Sequence, residues 1–156
     1  MFVALTRLHI RSFRFLPQFR WTNEKAVKQL VSSPGFCAGK LLVAGPREFW
    51  TVTMWTDESG MRKYRGAGAH LKAMGRLAGW CDEASVAHWS QDHEAIPDWE
   101  TLHARMRDTG RPSRLDYPSP AHATKPWKAP PPHWRIERQL RGANPESPTV
   151  APAPAP

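Results

Sequence analysis

The sequence predicts an α+β fold, a ferredoxin-like domain with element order βαββαβ, followed by a C-terminal helix and a Pro-rich extension. Apolar residues alternate with strand spacing in four segments and recur at helical spacing between them. Prolines divide the chain, because residues 1–96 hold 3 of them and the last 60 residues hold 13. Since proline fixes φ and removes a backbone donor, packed elements do not absorb that density. We therefore expect a ferredoxin-like domain over residues 1–93, a docking helix over 94–110 and a Pro-rich extension over 111–156 that is largely irregular or disordered.

The first half of the domain predicts one strand, one helix and then a hairpin of two strands. Alternation over residues 2–10 is apolar on both faces, which is typical of a buried strand. Helical spacing follows from Phe15 to Val31 and stops at Pro34 and Gly35. The runs 36–44 and 48–55 alternate again, and Gly45-Pro46 between them favours a hairpin turn.

The second half predicts a broken helix and a final strand. Asp57 follows Thr56 as a cap for a helix start, and Met61 and Tyr64 supply its inner face. Gly66 and Gly68 interrupt this helix, and a second piece follows. Its predicted inner stripe runs through Leu71, Met74, Leu77, Ala78 and Cys81, with His70 on the same side. Residues 83–89 form the last predicted strand.

This order places two helices on one face of the sheet. The predicted strands carry apolar groups on both faces, so the second face needs another cover. A domain of this size is also small for independent stability. We therefore expect a homodimer in which two sheets face each other. Trp99, Leu102, His103 and Met106 give the docking helix an apolar stripe that must pack against something.

Three segments resemble a known family: FVALTRLHIRSFRFLPQF, FWTVTMWTDESGMRKYRGAGAH and RLAGWCDEASVAHW. They are similar to the antibiotic-biosynthesis monooxygenase-like branch of the dimeric α/β-barrel proteins and, more distantly, to spheroidene monooxygenase. The resemblance covers residues 1–93. It implies a monooxygenase-like tailoring enzyme for an aromatic, polyketide or polyene small molecule, either cofactor-independent or heme-dependent.

The heme-degrading members of this fold share a Trp and two acidic residues at a helix start, then a second Trp and a heme-ligating His. Aligned on Trp55, Asp57 and Glu58, the last two positions fall on Tyr64 and Met74, and neither matches. The resemblance therefore favours a site without a cofactor and leaves heme, with His70 as its ligand, as an alternative.

The expected site combines an imidazole, aromatic walls and a cation. His70 is the candidate acid/base, and Tyr64 and Arg7 complete the catalytic set, with Arg7 holding negative charge. Substrate contacts are expected from Trp55, Met74, His9 and Trp50. A structural interpretation of each residue stays open. His70 would then be bonded to a nearby carbonyl, and Arg7 and His9 would be solvated or paired with Glu48 or Asp57. The large aromatics would then be core and interface.

A second function class stays open as well, a non-catalytic dimer that binds a ligand or a partner. Trp127 and Trp134 in the extension would be its interaction element. The 22 Lys and Arg against 14 Asp and Glu give a net charge of +8. Arg11, Arg14 and Arg20 alternate with aromatic residues, but helical packing explains those aromatics, so the pattern argues against a nucleic-acid partner.

Other motifs exclude further classes. Cys37 and Cys81 lack CxxC partners, which argues against a structural zinc site. The spacing of His88 and His93 fits no common zinc pattern. No hydrolase, dinucleotide or phosphate-loop motif occurs. No apolar run is long enough for a membrane span, and no signal peptide is evident, so we expect a cytoplasmic protein.

Overall fold

The computed structural model describes residues 1–124 and 136–143. Its six-stranded sheet has the order β5-β4-β1-β3-β2-β6. The inner four strands pair antiparallel in the order that a ferredoxin-like domain requires, which confirms the predicted fold class. The strands are β1 (Phe2–Ile10), β2 (Phe36–Val43), β3 (Glu48–Trp55), β4 (Cys81–Ser90), β5 (Arg111–Pro112) and β6 (Ile136–Arg141). The helices are α1 (Leu16–Val31), α2 (Glu58–Arg65), α3 (Gly68–Trp80), α4 (Trp99–Thr109) and α5 (Pro120–Thr124).

Helices α1, α2 and α3 pack on one face of the sheet, which we call the first face. The cap predicted for α2 is present, because the Asp57 carboxylate accepts a hydrogen bond from the backbone N–H of Gly60 at 2.9 Å. Helix α3 ends at Trp80, so Cys81 is the first residue of β4 rather than part of the predicted stripe. Leu71 is also exposed, and the expectation that it belongs to the inner stripe is wrong.

The second face of the sheet is covered by α4 of the same chain. Leu102 and Met106 are fully buried in one cluster with Leu5, Val52 and Met54. Asp98 starts this helix by accepting a hydrogen bond from the Thr101 backbone N–H at 2.7 Å. The expectation that this face must be covered by a second copy is therefore wrong. The homodimer stays a prediction, but an uncovered second face no longer supports it.

The extension returns to the sheet. Strand β6 pairs antiparallel with β2 from Ala38 to Val43, and the backbone of Ser113 bonds to Ala84 beside β5. Trp127 and Trp134 lie outside the described residues. None of the helices in the described ranges has the length and hydropathy needed to cross a bilayer.

The packing of α4 on the second face predicts that a substitution in its buried stripe destabilises the domain. Leu102→Ala removes a fully buried side chain from the second face. We expect it to lower the free energy of unfolding by about 2–5 kcal/mol, because both transfer and cavity terms are lost. Urea denaturation followed by tryptophan fluorescence measures this.

Glu100→Gln is the control on the exposed side of the same helix. It should change stability by less than about 0.5 kcal/mol. Equal effects of the two substitutions would show that α4 does not pack on the sheet.

Candidate functional site

A cavity of about 300 Å³ lies between the first face of the sheet and helices α1 and α3. Its floor is formed by alternate residues of β1, namely Ala4, Thr6 and Leu8. These side chains are only partly buried although β1 is central in the sheet. The volume lies at the lower end of the range for small-molecule sites. The fold thus leaves room for a compact ligand against its central strand.

The imidazole of His70 forms part of the cavity wall, and its position is fixed by α1. The side-chain oxygen of Gln29 accepts a hydrogen bond from the His70 backbone N–H at 3.0 Å. The Gln29 amide nitrogen donates to the carbonyls of Tyr64 and Ala67 at 3.2 and 3.1 Å. Gln29 therefore clamps the break between α2 and α3. The sequence analysis did not single out this residue.

Gly68 makes this clamp possible. Its φ is 57°, in the left-handed region that residues with a Cβ rarely adopt. A Cβ at this position would lie 2.6 Å from the Gln29 side-chain oxygen. The Gly-x-Gly-x-His pattern singled out in the sequence therefore has a local reason: glycine admits the glutamine that orients His70.

The environment of His70 favours a neutral imidazole with one free nitrogen. Burial lowers the pKa of His70, the nearby Arg65 charge lowers it further, and the hydrogen bond to the Arg65 backbone opposes this. The Nδ1 atom lies 3.3 Å from the Arg65 carbonyl oxygen. A carbonyl accepts only from a protonated nitrogen, so this contact favours the tautomer in which Nε2 is unprotonated and can accept a proton.

Tyr64 supports the imidazole from one side. The two ring centroids are 4.5 Å apart, and the Tyr64 hydroxyl donates to the Ala26 carbonyl at 3.2 Å. Burial raises the pKa of Tyr64 well above its ordinary value, so the phenol remains protonated at neutral pH. The cavity thus brings together two predicted residues, His70 and Tyr64, and Met74 also lines it although its side chain is largely exposed.

The structure separates the other predicted residues from this cavity. Arg7 lies buried on the second face, where its guanidinium bonds to Glu48 at 2.9 Å and Glu83 at 2.7 Å. The expectation that Arg7 holds the negative charge of a substrate is wrong, and the alternative, pairing with Glu48, is confirmed. His9 is bonded to Asp82 through Nδ1 at 2.6 Å and does not line the cavity.

The predicted tryptophans are core residues. Trp50 is buried on the second face with its indole N–H donating to Glu48 at 2.8 Å. Trp55 is fully buried behind Tyr64, at a ring-centroid distance of 5.5 Å, and does not reach the cavity. The expectation that these two side chains contact substrate is therefore wrong. Trp80, at the end of α3, does form part of the wall.

His88 is a cavity residue that the sequence analysis missed. It lies on β4 opposite Ala4 of β1 and faces the cavity with Ala84 and Val86. Burial lowers the pKa of His88, and Arg111 and Arg65 lower it further. Strand alternation contained the signal, because residues 84, 86 and 88 share a face. The spacing of His88 from His93, which fits no common zinc pattern, carries no sign of this position.

One buried hydroxyl on the cavity wall lacks a partner within the described chain. The Oγ1 atom of Thr22, on α1, forms no hydrogen bond there. An unsatisfied buried hydroxyl costs stability, and a ligand oxygen or nitrogen would satisfy it. No group of three or more metal-ligating side chains is present among residues 1–124 and 136–143.

The comparisons with solved structures agree on the fold. A Nitrosomonas europaea protein described as a candidate antibiotic biosynthesis monooxygenase superposes with a TM-score of 0.54 at 14% identity, covering 60% of this chain and 100% of that one. The Rv0793 protein of Mycobacterium tuberculosis gives 0.53 at 12% identity, covering 62% and 100%. Neither a family model nor a curated protein matches the sequence. The chain therefore has the antibiotic biosynthesis monooxygenase fold, which confirms the resemblance at the level of structure.

The lowered pKa values of the two cavity histidines predict a pH dependence of stability. Where the pKa is lower in the folded than in the unfolded state, the unfolded chain binds more protons at intermediate pH. The free energy of unfolding should therefore fall as pH drops from about 7.5 toward 5, below the ordinary histidine pKa of about 6.5. Urea denaturation at several pH values measures this.

Proton NMR of the imidazoles assigns the effect. His70→Gln and His88→Gln should each remove one resonance that titrates below the ordinary pKa and reduce the slope of stability with pH. If both resonances titrate above about 6.5, the described burial of these rings is contradicted.

Proposed function

We propose that the protein is a monooxygenase-like enzyme that acts on a compact aromatic, polyketide or polyene molecule in the cavity, with His70 as the general base. The observation that carries the proposal is the His70 geometry. Its Nδ1 lies 3.3 Å from a carbonyl oxygen, its Nε2 forms no hydrogen bond within residues 1–124 and 136–143, and its lowered pKa keeps it neutral. The fold agrees with that of a protein described as a monooxygenase.

The reaction needs an activated C–H group and dioxygen. His70 takes a proton from a CH₂ group that lies next to a carbonyl or aromatic ring, and the carbanion reacts with O₂ to form a C–O bond. Protonated His70 returns its proton to the resulting peroxide, and the O–O bond of the hydroperoxide then breaks as the second hydrogen leaves the carbon as a proton, which releases water. The net change is CH₂ + O₂ → C=O + H₂O, in which the substrate supplies all the electrons.

The other cavity residues have supporting roles in this proposal. Tyr64 is a positioning residue, because its hydroxyl is committed to Ala26 while its ring holds the imidazole. Thr22 offers a hydroxyl to a substrate oxygen. Apolar side chains such as Leu8, Val27 and Leu30 line the rest and exclude water from the carbanion.

Heme is not part of the proposal. A cavity of about 300 Å³ is at the lower end for drug-sized ligands, and a porphyrin with its propionates would extend beyond it into solvent. The position that aligns with the axial histidine of heme-degrading proteins holds Met74, whose side chain is 44% exposed. The residues present fit a compact ligand better than a macrocycle.

Oxygen uptake with anthrone tests the proposal. Anthrone has an acidic CH₂ group between two aromatic rings, and its oxidation to anthraquinone follows the equation above. We expect uptake above the uncatalysed rate that chelators do not suppress. His70→Gln should lower the catalysed rate by about 10²–10⁴-fold, the usual contribution of a general base.

His93→Gln is the matched control, because His93 is exposed and lies outside the cavity. It should leave the rate unchanged. Activity that survives His70→Gln but is lost in His88→Gln would assign the base to the opposite wall. Absence of catalysed uptake by the folded protein would favour the second function class, a ligand-binding protein without catalysis.

A further inference from the structure

The charged groups around the cavity have one sign. Arg65, at the end of α2, and Arg114 line it, and no carboxylate does so in the described residues. Neither arginine forms an ion pair within residues 1–124 and 136–143. A guanidinium cannot lose its proton at physiological pH, so both are permanent cations at the cavity.

The charge of Arg65 acts on both cavity histidines. The Arg65 charge lowers the pKa of His70 on one wall and of His88 on the other. Arg111 and Arg62 act on His88 in the same direction, and only Glu58 opposes them. A neutral ligand gains nothing from this field, whereas an anion is attracted by it.

Arg114 is an exposed residue of a segment that we call the strap, residues 111–119, whose backbone is bonded to the domain. Its backbone N–H groups at Ser113, Asp116 and Ser119 donate to carbonyls of Ala84, Ala78 and Asp82 at 2.9–3.0 Å. The buried imidazole of His122, in α5, connects the strap to β4. Its Nε2 lies 2.8 Å from the Ser113 carbonyl oxygen, and its Nδ1 accepts a hydrogen bond from the Ala84 backbone N–H at 3.4 Å. The extension is therefore part of the cavity wall and not only a tail.

We infer that the cavity selects anionic substrates, with a carboxylate held at its edge by Arg65 and Arg114 while the apolar part of the molecule lies over β1. Two guanidinium groups match a carboxylate through paired N–H donors. Arg65 comes from the ferredoxin-like domain and Arg114 from the strap, so the anion site is complete only when the strap is docked. This inference rests on the proposed function for its choice of cavity but does not require catalysis.

Binding of 2-naphthoate, compared with its uncharged counterpart 2-naphthalenemethanol, tests the inference on the full chain. Both probes are small enough for the cavity and fluoresce, and they differ only in the charged group. We expect naphthoate to bind at least about tenfold more tightly, as charge-assisted hydrogen bonds allow. Its affinity should fall as salt is raised, while that of the alcohol should not.

Variants identify the residues. Arg65→Gln and Arg114→Gln should each weaken naphthoate about tenfold and leave 2-naphthalenemethanol unchanged, which also shows that the cavity is intact. Arg114→Lys keeps the charge but not the paired donors, so it should retain part of the affinity. Lys72→Gln removes one positive charge from the exposed side of α3 and is the control.

Equal affinity for the two probes, absence of naphthoate binding, or loss of both probes to the same extent in the arginine variants would overturn the inference. The oxygen-uptake result is separate. Naphthoate selectivity without oxygen uptake would support the anion site and remove the enzyme proposal. Oxygen uptake from anthrone combined with equal affinity for naphthoate and 2-naphthalenemethanol would support the enzyme proposal and overturn the anion site.

Discussion

The fold depends on the burial of both faces of one antiparallel sheet by helices of the same chain. The central strand β1 places Leu5 on the second face and Leu8 on the first, so neither face tolerates water. Helix α4 covers the second face so closely that Leu102 and Met106 have no exposed surface. Helices α1 and α3 cover the first face less completely, and the space that they leave unfilled is the cavity. The candidate site thus lies on the side that is packed less tightly.

The polar side chains of the two faces differ as well, although the buried Ser85 hydroxyl on the second face, away from the cavity, also lacks a hydrogen-bond partner among the described residues. Arg7 is buried on the second face with Glu48 and Glu83, and a buried cation requires such partners. On the first face, neither Arg65 nor Arg114 forms an ion pair within the part of the chain that the structure describes, and the Thr22 hydroxyl forms no hydrogen bond there. A group whose hydrogen bonds are completed within the protein serves the fold. A group left incomplete at a cavity is available to a ligand, which is why the proposals concern only the first face.

Sequence periodicity was enough for the element order, the α2 cap, the hairpin and the break before His70, because each depends on neighbours in the chain. It also placed His70 and Tyr64 on one side. It could not place Arg7, Trp50 and Trp55, since the face that becomes a cavity is decided by packing between distant segments. The docking site of α4 was missed for the same reason: its apolar stripe predicts burial but does not name the surface that receives it. The roles of Gln29, Arg114 and His122 depend on contacts with residues far away in the chain, so no local sequence pattern predicts them.

The central claim is that α4 covers the sheet within one chain. Methyl NOE spectroscopy tests it most directly, on a sample in which labelled and unlabelled chains are mixed so that contacts within and between chains are distinguished. We expect NOEs from Leu102 to Val52 and Leu5 that arise within a single chain. The same NOEs appearing only between chains, or NOEs joining the second faces of two sheets, would contradict the account and restore a second copy as the cover.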